Sequence, residues 1–232
     1  MSAMLSDGVP QTIYVITPTY IRPTQEVELV ILSQALQHVP FVHWIVVEFT
    51  KTELVASLLK EFGIPTTHLE SYIPVNQQLQ DNVNSCSVLR NIALDHLTNN
   101  LTLPNGVIMF ANTDRSYSED AFDFIRKIQK IGIWPVAFCP EQFECKPKLK
   151  FLSENKESTI DNPVVYPINI ASLGISTVLM KTASHVRFLT RGSDTFVCSK
   201  FLEQLNVSSD EFELPELCSK FFIWFTPYQR VL

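Results

Sequence analysis

The sequence has no apolar run long enough to cross a membrane. A spanning helix needs about 20 consecutive apolar residues, and no segment approaches that length. Residues 1–10 also lack a basic region followed by an apolar one, so they do not predict a signal peptide. Two expectations stay open, namely a soluble chain that remains where it is made, or a chain whose upstream membrane anchor is missing.

Clusters of positive charge are also absent. The 18 Lys and Arg are outnumbered by 24 Asp and Glu, which gives a formal net charge of -6, and no run of one sign stands out. Nucleic-acid phosphates are bound by clustered Lys and Arg side chains. The composition therefore argues against nucleic acid as the main partner.

Metal-binding and catalytic motifs built on Cys and His are missing as well. The five cysteines form no CxxC pair, and the five histidines show neither metal-ligand spacing nor a nucleophile elbow. This argues against a zinc site and a dense disulfide framework. Buried free thiols are expected, with one disulfide bridge as the alternative if the chain is luminal. Two glycosylation sequons begin at Asn100 and Asn206, about the number expected by chance.

The apolar residues that are present alternate between two periodicities. Hydrophobic residues make up 46% of the 232 positions, enough for a sizeable core. Continuous apolar runs predict buried strands, and apolar residues at helical spacing follow each run. The alternation predicts an α/β fold with a mainly parallel sheet and helices on both faces. We expect residues 1–11 to form a tail and residues 12–232 to form one domain.

The predicted elements can be given residue by residue. Buried strands are expected at Thr12–Thr17, Trp44–Glu48, Thr67–Leu69, Val107–Ala111 and Ile133–Phe138. Helices are expected from Thr24 to Val39, from Thr52 to Phe62 with Gly63 as the cap, from Val88 to Leu97 and from Ser118 to Lys130. The segment Glu70–Asn84 is expected to be a loop, and the second half to be less regular, with a helix at Val197–Leu205 and a strand at Phe221–Thr226.

Polar side chains follow these strands, at the sheet edge where ligands bind in parallel sheets. Asp114 comes directly after a buried strand, where a carboxylate can hold a divalent cation on a pyrophosphate, or can simply cap a turn. Tyr20 can stack on a nucleobase. Arg22, Arg90 and Arg191 can bind phosphate, or can form surface or structural ion pairs.

Several segments together resemble one enzyme family. They are Ile13–Pro23 (IYVITPTYIRP), His38–Pro40, His43–Glu48 (HWIVVE), Thr67–Leu69, Arg90–Leu94, Phe110–Ala111 with Asp114 and Tyr117, and Trp134–Phe138 (WPVAF). In order and spacing, from about Thr12 to Thr226, they resemble the β-1,3-glucuronosyltransferases. The resemblance implies a GT-A fold, UDP-glucuronate as donor, Mn²⁺ as cofactor and a galactose-ended glycan as acceptor. It also implies Golgi membranes and a homodimer.

The resemblance assigns roles to particular residues. Tyr20 would contact the uridine, Arg22, Arg90 and Arg191 would lie near the donor, and Asp114 would match the metal-binding last Asp of an Asp-Asp-Asp motif. Residues 12–140 would form the nucleotide-binding half, and residues 141–232 the acceptor-side half.

The sequence also departs from the family pattern at several expected site positions. Cys198 stands where the family has its catalytic Glu, so that position is expected to be non-functional as a base. The other departures are Phe49, Asn112, Thr113, Asn169, Phe225, Pro227 and Cys145, the last with Glu144 beside it. A positioned base is worth about 10²–10⁴-fold in rate. Two hypotheses follow: a weak or altered glucuronosyltransferase, or an inactive relative that acts as a binding partner or UDP-sugar sensor.

Overall fold

The computed structural model describes residues 11–71, 83–100, 104–134, 136–137, 169–207, 211–214 and 223–225. In chain order its elements are β1 (Thr12–Pro18), α1 (Gln25–Gln37), β2 (Val42–Glu48), α2 (Glu53–Phe62), β3 (Thr66–Glu70), α3 (Ser85–Asn99), β4 (Gly106–Phe110), β5 (Arg115–Tyr117), α4 (Glu119–Ile125), β6 (Ile131–Ile133), β7 (Val136–Ala137), a 3₁₀ turn (Ile170–Ser172), β8 (Leu173–Ser176), α5 (Thr177–Thr182), α6 (Asp194–Gln204), β9 (Phe212–Glu213) and β10 (Ile223–Phe225).

Seven of these strands form one sheet in the order β3-β2-β1-β4-β8-β6-β9. The pairs β3-β2, β2-β1, β1-β4 and β6-β9 are parallel, whereas β8 runs antiparallel to both of its neighbours. The predicted mainly parallel sheet is therefore confirmed. A second sheet of three strands, β5-β10-β7, stands beside it.

The two faces of the large sheet carry separate hydrophobic cores. Because successive strand side chains point to opposite faces, Ile13 and Val15 pack with α1, α2 and α4, whereas Tyr14 and Ile16 pack with α3, α5 and α6. Helices thus cover both faces, as predicted. None of the helices in the described ranges is long and apolar enough to cross a membrane.

The first-half helices form largely where the sequence predicts them. The Thr52 side chain accepts a hydrogen bond from the Val55 amide at the start of α2, and Gly63 ends that helix in the left-handed region with φ of 67°. The predicted helix from Ser118 to Lys130 is too long, since α4 ends at Ile125. After it the backbone N–H groups of Lys127 and Ile128 bond to residues three positions earlier, and the buried Arg126 guanidinium donates to the backbone carbonyls of Gln11 and Pro40.

The predicted strand Ile133–Phe138 also needs correction. Pairing begins earlier, at Ile131, and β6 and β7 belong to different sheets. β6 pairs with β8 and β9, whereas β7 pairs with β10, so two partners divide one apolar run. Phe138 lies outside the described residues, as do most of the predicted loop Glu70–Asn84 and the ends of the predicted strand Phe221–Thr226. The division near residue 140 stays a prediction, because residues 138–168 are outside as well.

Candidate functional site

The strand order makes the carboxyl ends of β1 and β4 a topological switch point, the crevice of this sheet. From β1 the chain moves outward to β2 and β3, and it then returns to β4 on the other side of β1. The connections after β1 and β4 therefore lead away to opposite sides. Ligands of open α/β sheets bind at the carboxyl ends of the strands at such a point. Residues 19–22 and 111–114 follow these two strands, and they include the predicted Tyr20 and Asp114.

A buried carboxylate ties the two borders together. Glu28 of α1 accepts from Arg22 in an ion pair, from the Thr113 hydroxyl at 2.5 Å and from the Thr24 hydroxyl at 2.6 Å. Arg22 also donates to the Thr113 hydroxyl oxygen at 2.5 Å. Burial alone would raise the pKa of Glu28, but these hydrogen bonds and the Arg22 charge together lower it. Thr113 and Arg22 are thus parts of a structural network at neutral pH.

Tyr20 sits on the outer side of this network. The Arg22 guanidinium carbon lies 4.5 Å from the centre of the Tyr20 ring, and its Nη1 donates to the Tyr20 carbonyl at 3.3 Å. The Tyr20 residue is 46% exposed. One ring face is thus held by a cation, a geometry worth about 0.5–1 kcal/mol at exposed sites. The stacking role predicted for Tyr20 stays a prediction, with the ring accessible for it.

Arg90 of α3 is the buried cation of the site. It is 2% exposed, and its Nη2 donates to the Asn112 side-chain oxygen at 3.1 Å. In the described part of the chain, its Nε has no hydrogen-bond partner and no carboxylate pairs with the guanidinium. Asn112 is itself fixed, because its backbone N–H donates to the Tyr117 hydroxyl at 2.9 Å and its carbonyl accepts from it at 3.1 Å.

The start of α3 lies against the segment that carries Arg191. Residue 191 pairs with Val83 in an antiparallel bridge, and the Asn84 amide donates to the Thr190 carbonyl at 2.7 Å. The Asn84 side chain caps α3 and also donates to the Asp194 carboxylate at 2.8 Å. Arg191 is exposed beside a helix N-terminus, whose partial positive charge also favours anions.

The thiol of Cys86, on the first turn of α3, is affected by several of these charges. Burial raises its pKa most strongly; Arg90 and Arg22 act to lower it, and Asp194 and Asp114 act to raise it. The thiol therefore lies within electrostatic reach of both arginines and both aspartates. Hydrogen bonds from Arg90 to Asn112 and from Arg22 to Thr113 bring both arginines to the segment that carries Asp114.

Asp114 has one occupied and one unused carboxylate oxygen. Its Oδ2 pairs with Arg115 at 2.8 Å, whereas Oδ1 is buried without a hydrogen-bond partner among the described residues. Within those residues, no group of three or more His, Cys, Asp or Glu can hold a metal ion. Hard divalent cations prefer several oxygen ligands, and here guanidinium groups contact both Asp114 and Asn112. This donor set does not fit a resident Mn²⁺ site.

Cys198, at the position where a base is expected, lies inside the hydrophobic core. It is 0% exposed and packs with Val197 and Phe201. Burial raises the pKa of its thiol to about 12, although the Arg90 charge partly opposes this effect. The side chain is therefore a neutral thiol at physiological pH, which accepts protons poorly. That the position is not a working base stays a prediction, and the buried, neutral thiol is the observation that supports it.

Glu48, at the end of β2, is a carboxylate that faces inward. It is 1% exposed and accepts hydrogen bonds from Gln25 at 3.2 Å, from the Thr52 amide at 3.1 Å and from His68 at 2.9 Å. These bonds join α1, α2 and β3 to the end of β2. The following residue, Phe49, is partly buried against the core. The carboxylate next to the crevice on this strand is thus structural.

Other predicted positions are placed only in part. The Asn169 side chain accepts from the Ala171 amide at 3.0 Å and so starts the 3₁₀ turn. The backbone of Phe225 pairs with Arg115, one residue after Asp114. Cys145, Glu144 and Pro227 lie outside the described residues. Of the sequons, Asn100 follows the end of α3, and Asn206 is exposed with a φ of 50° after α6.

Sequence reasoning missed Glu28 and Cys86 as residues of this region. Their signals are present but weak. Glu28 lies four residues after Thr24 on the predicted helix, a spacing that places both side chains on one face. Cys86 lies four residues before Arg90 and eight before the fully buried Leu94, on one face of α3. An arginine between buried apolar neighbours on a helix is a signal of a buried charge.

The fold is of the GT-A type, the architecture of one class of glycosyltransferases. The first 349 residues of S. aureus TarS superpose with a TM-score of 0.60 at 17% identity, covering 93% of this chain and 60% of that one. At this identity the likeness concerns the fold alone.

The chain belongs to glycosyltransferase family 43, whose pattern matches residues 32–229. It is 32% identical to the Caenorhabditis elegans galactosylgalactosylxylosylprotein 3-beta-glucuronosyltransferase sqv-8, over 94% of this chain and 64% of that protein. It is also 32% identical to the Rattus norvegicus galactosylgalactosylxylosylprotein 3-beta-glucuronosyltransferase 1, over 97% of this chain and 71% of that protein. The chain thus spans less than two thirds of the first relative.

Proposed function

We propose that this chain binds UDP-glucuronate in the crevice between the ends of β1 and β4. The observation that carries the proposal is Arg90, a buried guanidinium at this strand end that has, among the described residues, one amide partner and none for its Nε. A buried charge is costly unless it is paired, and a diphosphate is an anion that suits a guanidinium fork. Tyr20 would take the uracil ring, and Arg191 would face the outer part of the donor.

The proposal also states that this chain transfers glucuronate to an acceptor slowly or not at all. Attack by an acceptor hydroxyl on the sugar needs a group that takes the hydroxyl proton, and such a base contributes about 10²–10⁴-fold. Cys198 is a buried neutral thiol at the position where a base is expected. We therefore favour a UDP-sugar-binding protein over an efficient transferase.

An active transferase remains the second candidate, favoured by the family membership. The relatives' names describe transfer of glucuronate to a galactosylgalactosylxylosyl protein. For this chain, a galactose-ended glycan is the acceptor that such transfer would use. Residence in Golgi membranes and a homodimeric state are part of this second candidate. Mn²⁺ would then be held by Asp114 together with the donor phosphates, a site for which the described residues offer one free carboxylate oxygen.

Calorimetry of UDP, UDP-glucuronate and GDP, in buffer with excess Mn²⁺, tests the binding proposal. We expect both uridine nucleotides to bind and to raise the melting temperature. At a ligand concentration of 100 times Kd, binding adds about 2.7 kcal/mol to the free energy of unfolding. Absence of binding at millimolar UDP would overturn it. Transfer is measured separately, as glucuronate moved to a galactose-ended disaccharide. Turnover at the rate of an active family member would overturn the proposal of slow transfer.

A further inference from the structure

The described residues around the crevice carry one more positive than negative charge. On the strand-end side the described residues supply three guanidinium groups, from Arg22, Arg90 and Arg115, and two carboxylates, from Glu28 and Asp114. At the start of α3 the exposed Arg191 and Asp194 add one charge of each sign and leave the difference unchanged. Arg22 pairs with Glu28, and Arg115 pairs with Asp114 at 2.8 Å. Arg90 is left with a neutral partner, the Asn112 amide. A site that binds a divalent cation before the nucleotide needs more negative than positive side chains.

The position of Asn112 explains why Arg90 is unpaired. Its side-chain oxygen accepts from Arg90 Nη2 at 3.1 Å, so a carboxylate at residue 112 would form an ion pair with the same guanidinium. The amide has the shape of a carboxylate without the charge. The resemblance to the glucuronosyltransferases implies a carboxylate here, and its loss converts a neutral pair into a free cation.

One observation favours a divalent cation, namely the buried and unused Oδ1 of Asp114. Against it stand the Arg115 guanidinium on the other oxygen of the same carboxylate and the Arg90 guanidinium on residue 112. A dication bound at Asp114 would lie close to both. Since like charges in a partly buried site repel strongly, the arginines outweigh the single oxygen.

Building on the proposed function, we propose that this chain binds the diphosphate of UDP without a metal ion. Arg90 supplies the positive charge that a divalent cation would otherwise provide, and Asn112 keeps Arg90 free to do so. The ligand class is a nucleoside diphosphate or its sugar ester. Arg90 binds the phosphates directly, and Asn112 acts as a positioning residue.

Titration of UDP into the full chain, once in EDTA and once in Mn²⁺, tests this inference. We expect the two dissociation constants to agree within about threefold, and UMP to bind at least tenfold more weakly than UDP in EDTA. Binding that needs Mn²⁺ would overturn the inference but leave the proposed function standing. Absence of binding in both buffers would overturn both.

A substitution at residue 112 gives a second, independent readout. Asn112→Asp should weaken UDP binding in EDTA at least tenfold, because the new carboxylate pairs with Arg90, and Mn²⁺ should restore part of the loss. Asn206→Asp makes the same chemical change at an exposed position after α6 and should leave the dissociation constant unchanged. Melting temperatures of both variants check folding. Unchanged metal-free binding by a folded Asn112→Asp protein would contradict the role of Arg90.

Discussion

Two buried charges lie at the ends of β2 and β4, the two strands that flank β1 in the large sheet, and their surroundings differ. Glu48, after β2, is 1% exposed, and both of its oxygens accept hydrogen bonds, from Gln25, Thr52 and His68. Arg90, beside the end of β4, is 2% exposed, and the Asn112 amide is its one acceptor among the described residues. Burial is equal, whereas hydrogen bonding is complete in one case and incomplete in the other.

The difference separates a structural charge from one that is available to a ligand. A buried group with complete hydrogen bonding has its desolvation cost offset within the fold, and removing it leaves its partners unsatisfied. A buried guanidinium with an unused N–H donor is stabilised when an anion binds to it, because the anion supplies the missing acceptor. The comparison therefore predicts opposite results at the two sites, with stability lost at Glu48 and ligand affinity lost at Arg90.

The largest expected effect is the loss of stability in Glu48→Ala. The change leaves the Gln25 amide, the Thr52 N–H and the His68 ring without their buried acceptor, so we expect a loss of about 3–5 kcal/mol in the free energy of unfolding. Urea unfolding followed by circular dichroism measures it. Glu70→Ala is the matched control, because Glu70 pairs in register with Glu48 and is partly exposed. A loss no larger than that of Glu70→Ala would break the comparison.

Arg90→Met should show the reverse pattern. We expect UDP affinity to fall about 10- to 100-fold, the cost of losing hydrogen bonds from a charged group. Stability should stay the same or increase, since a buried charge without a carboxylate partner carries a desolvation cost that Met does not. Calorimetry and urea unfolding on the same preparation separate the two quantities.

Arg126→Met is the control for Arg90→Met. Arg126 is also buried, at 3% exposure, but it donates to the carbonyls of Gln11 and Pro40. Its loss should therefore reduce stability by about 1–3 kcal/mol and leave UDP affinity unchanged. If both variants lost stability equally and neither lost affinity, Arg90 would be a structural charge like Glu48.

Much of the framework around these two charges could be predicted from the sequence. The strands β1, β2 and β4 are continuous apolar runs with β-branched residues, which is typical of strands buried on both faces. Once their order is known, the crevice and the residues that border it follow. The short strands β7 and β9 have two residues each and carry no periodicity that could be recognised.

The state of each charge could not be predicted, because it depends on contacts between segments far apart in sequence. Whether Glu48 is satisfied depends on Gln25 and His68, and whether Arg90 is satisfied depends on Asn112. Strand-end position alone made Asp114 a metal candidate. The Arg115 ion pair that occupies one of its oxygens follows from the local conformation after β4.

Thr113→Val tests an intermediate case, the Glu28 network on the β1 side of the crevice. The variant loses a hydroxyl that bridges Arg22 and Glu28, and we expect a stability loss of about 1 kcal/mol at pH 7. Because the folded-state pKa of Glu28 is lowered, its ionised form stabilises the fold above about pH 5, and this is lost as pH falls through that pKa. The difference from the parent protein should therefore shrink toward pH 3.

Thr182→Val controls for the change of residue type in that experiment, since Thr182 is exposed on α5. It should alter stability by no more than about 0.5 kcal/mol, with no pH dependence. A Thr113→Val loss that stays constant from pH 7 to pH 3 would show that Glu28 is not the partner that matters. The Thr113 hydroxyl would then stabilise the fold through Arg22 or through packing, and Glu28 would be neither a fully bonded structural charge like Glu48 nor an unpaired one like Arg90.

The smallest expected effect is that of Cys198→Ala on UDP binding and transfer. Burial raises the pKa of this thiol to about 12, so at pH 9 it stays protonated, whereas an ordinary cysteine is mostly thiolate. We expect UDP affinity within twofold of the parent and no transfer that appears between pH 7 and pH 9. Alkylation with bromobimane, mapped by mass spectrometry, should leave Cys198 unmodified in the native protein and modify it in urea. Two results would contradict this expectation: rapid alkylation of Cys198 in the native protein, or transfer at pH 9 that disappears in the variant. Either result would mean that the Arg90 charge ionises this thiol. Arg90 would then stabilise the Cys198 thiolate rather than bind a diphosphate.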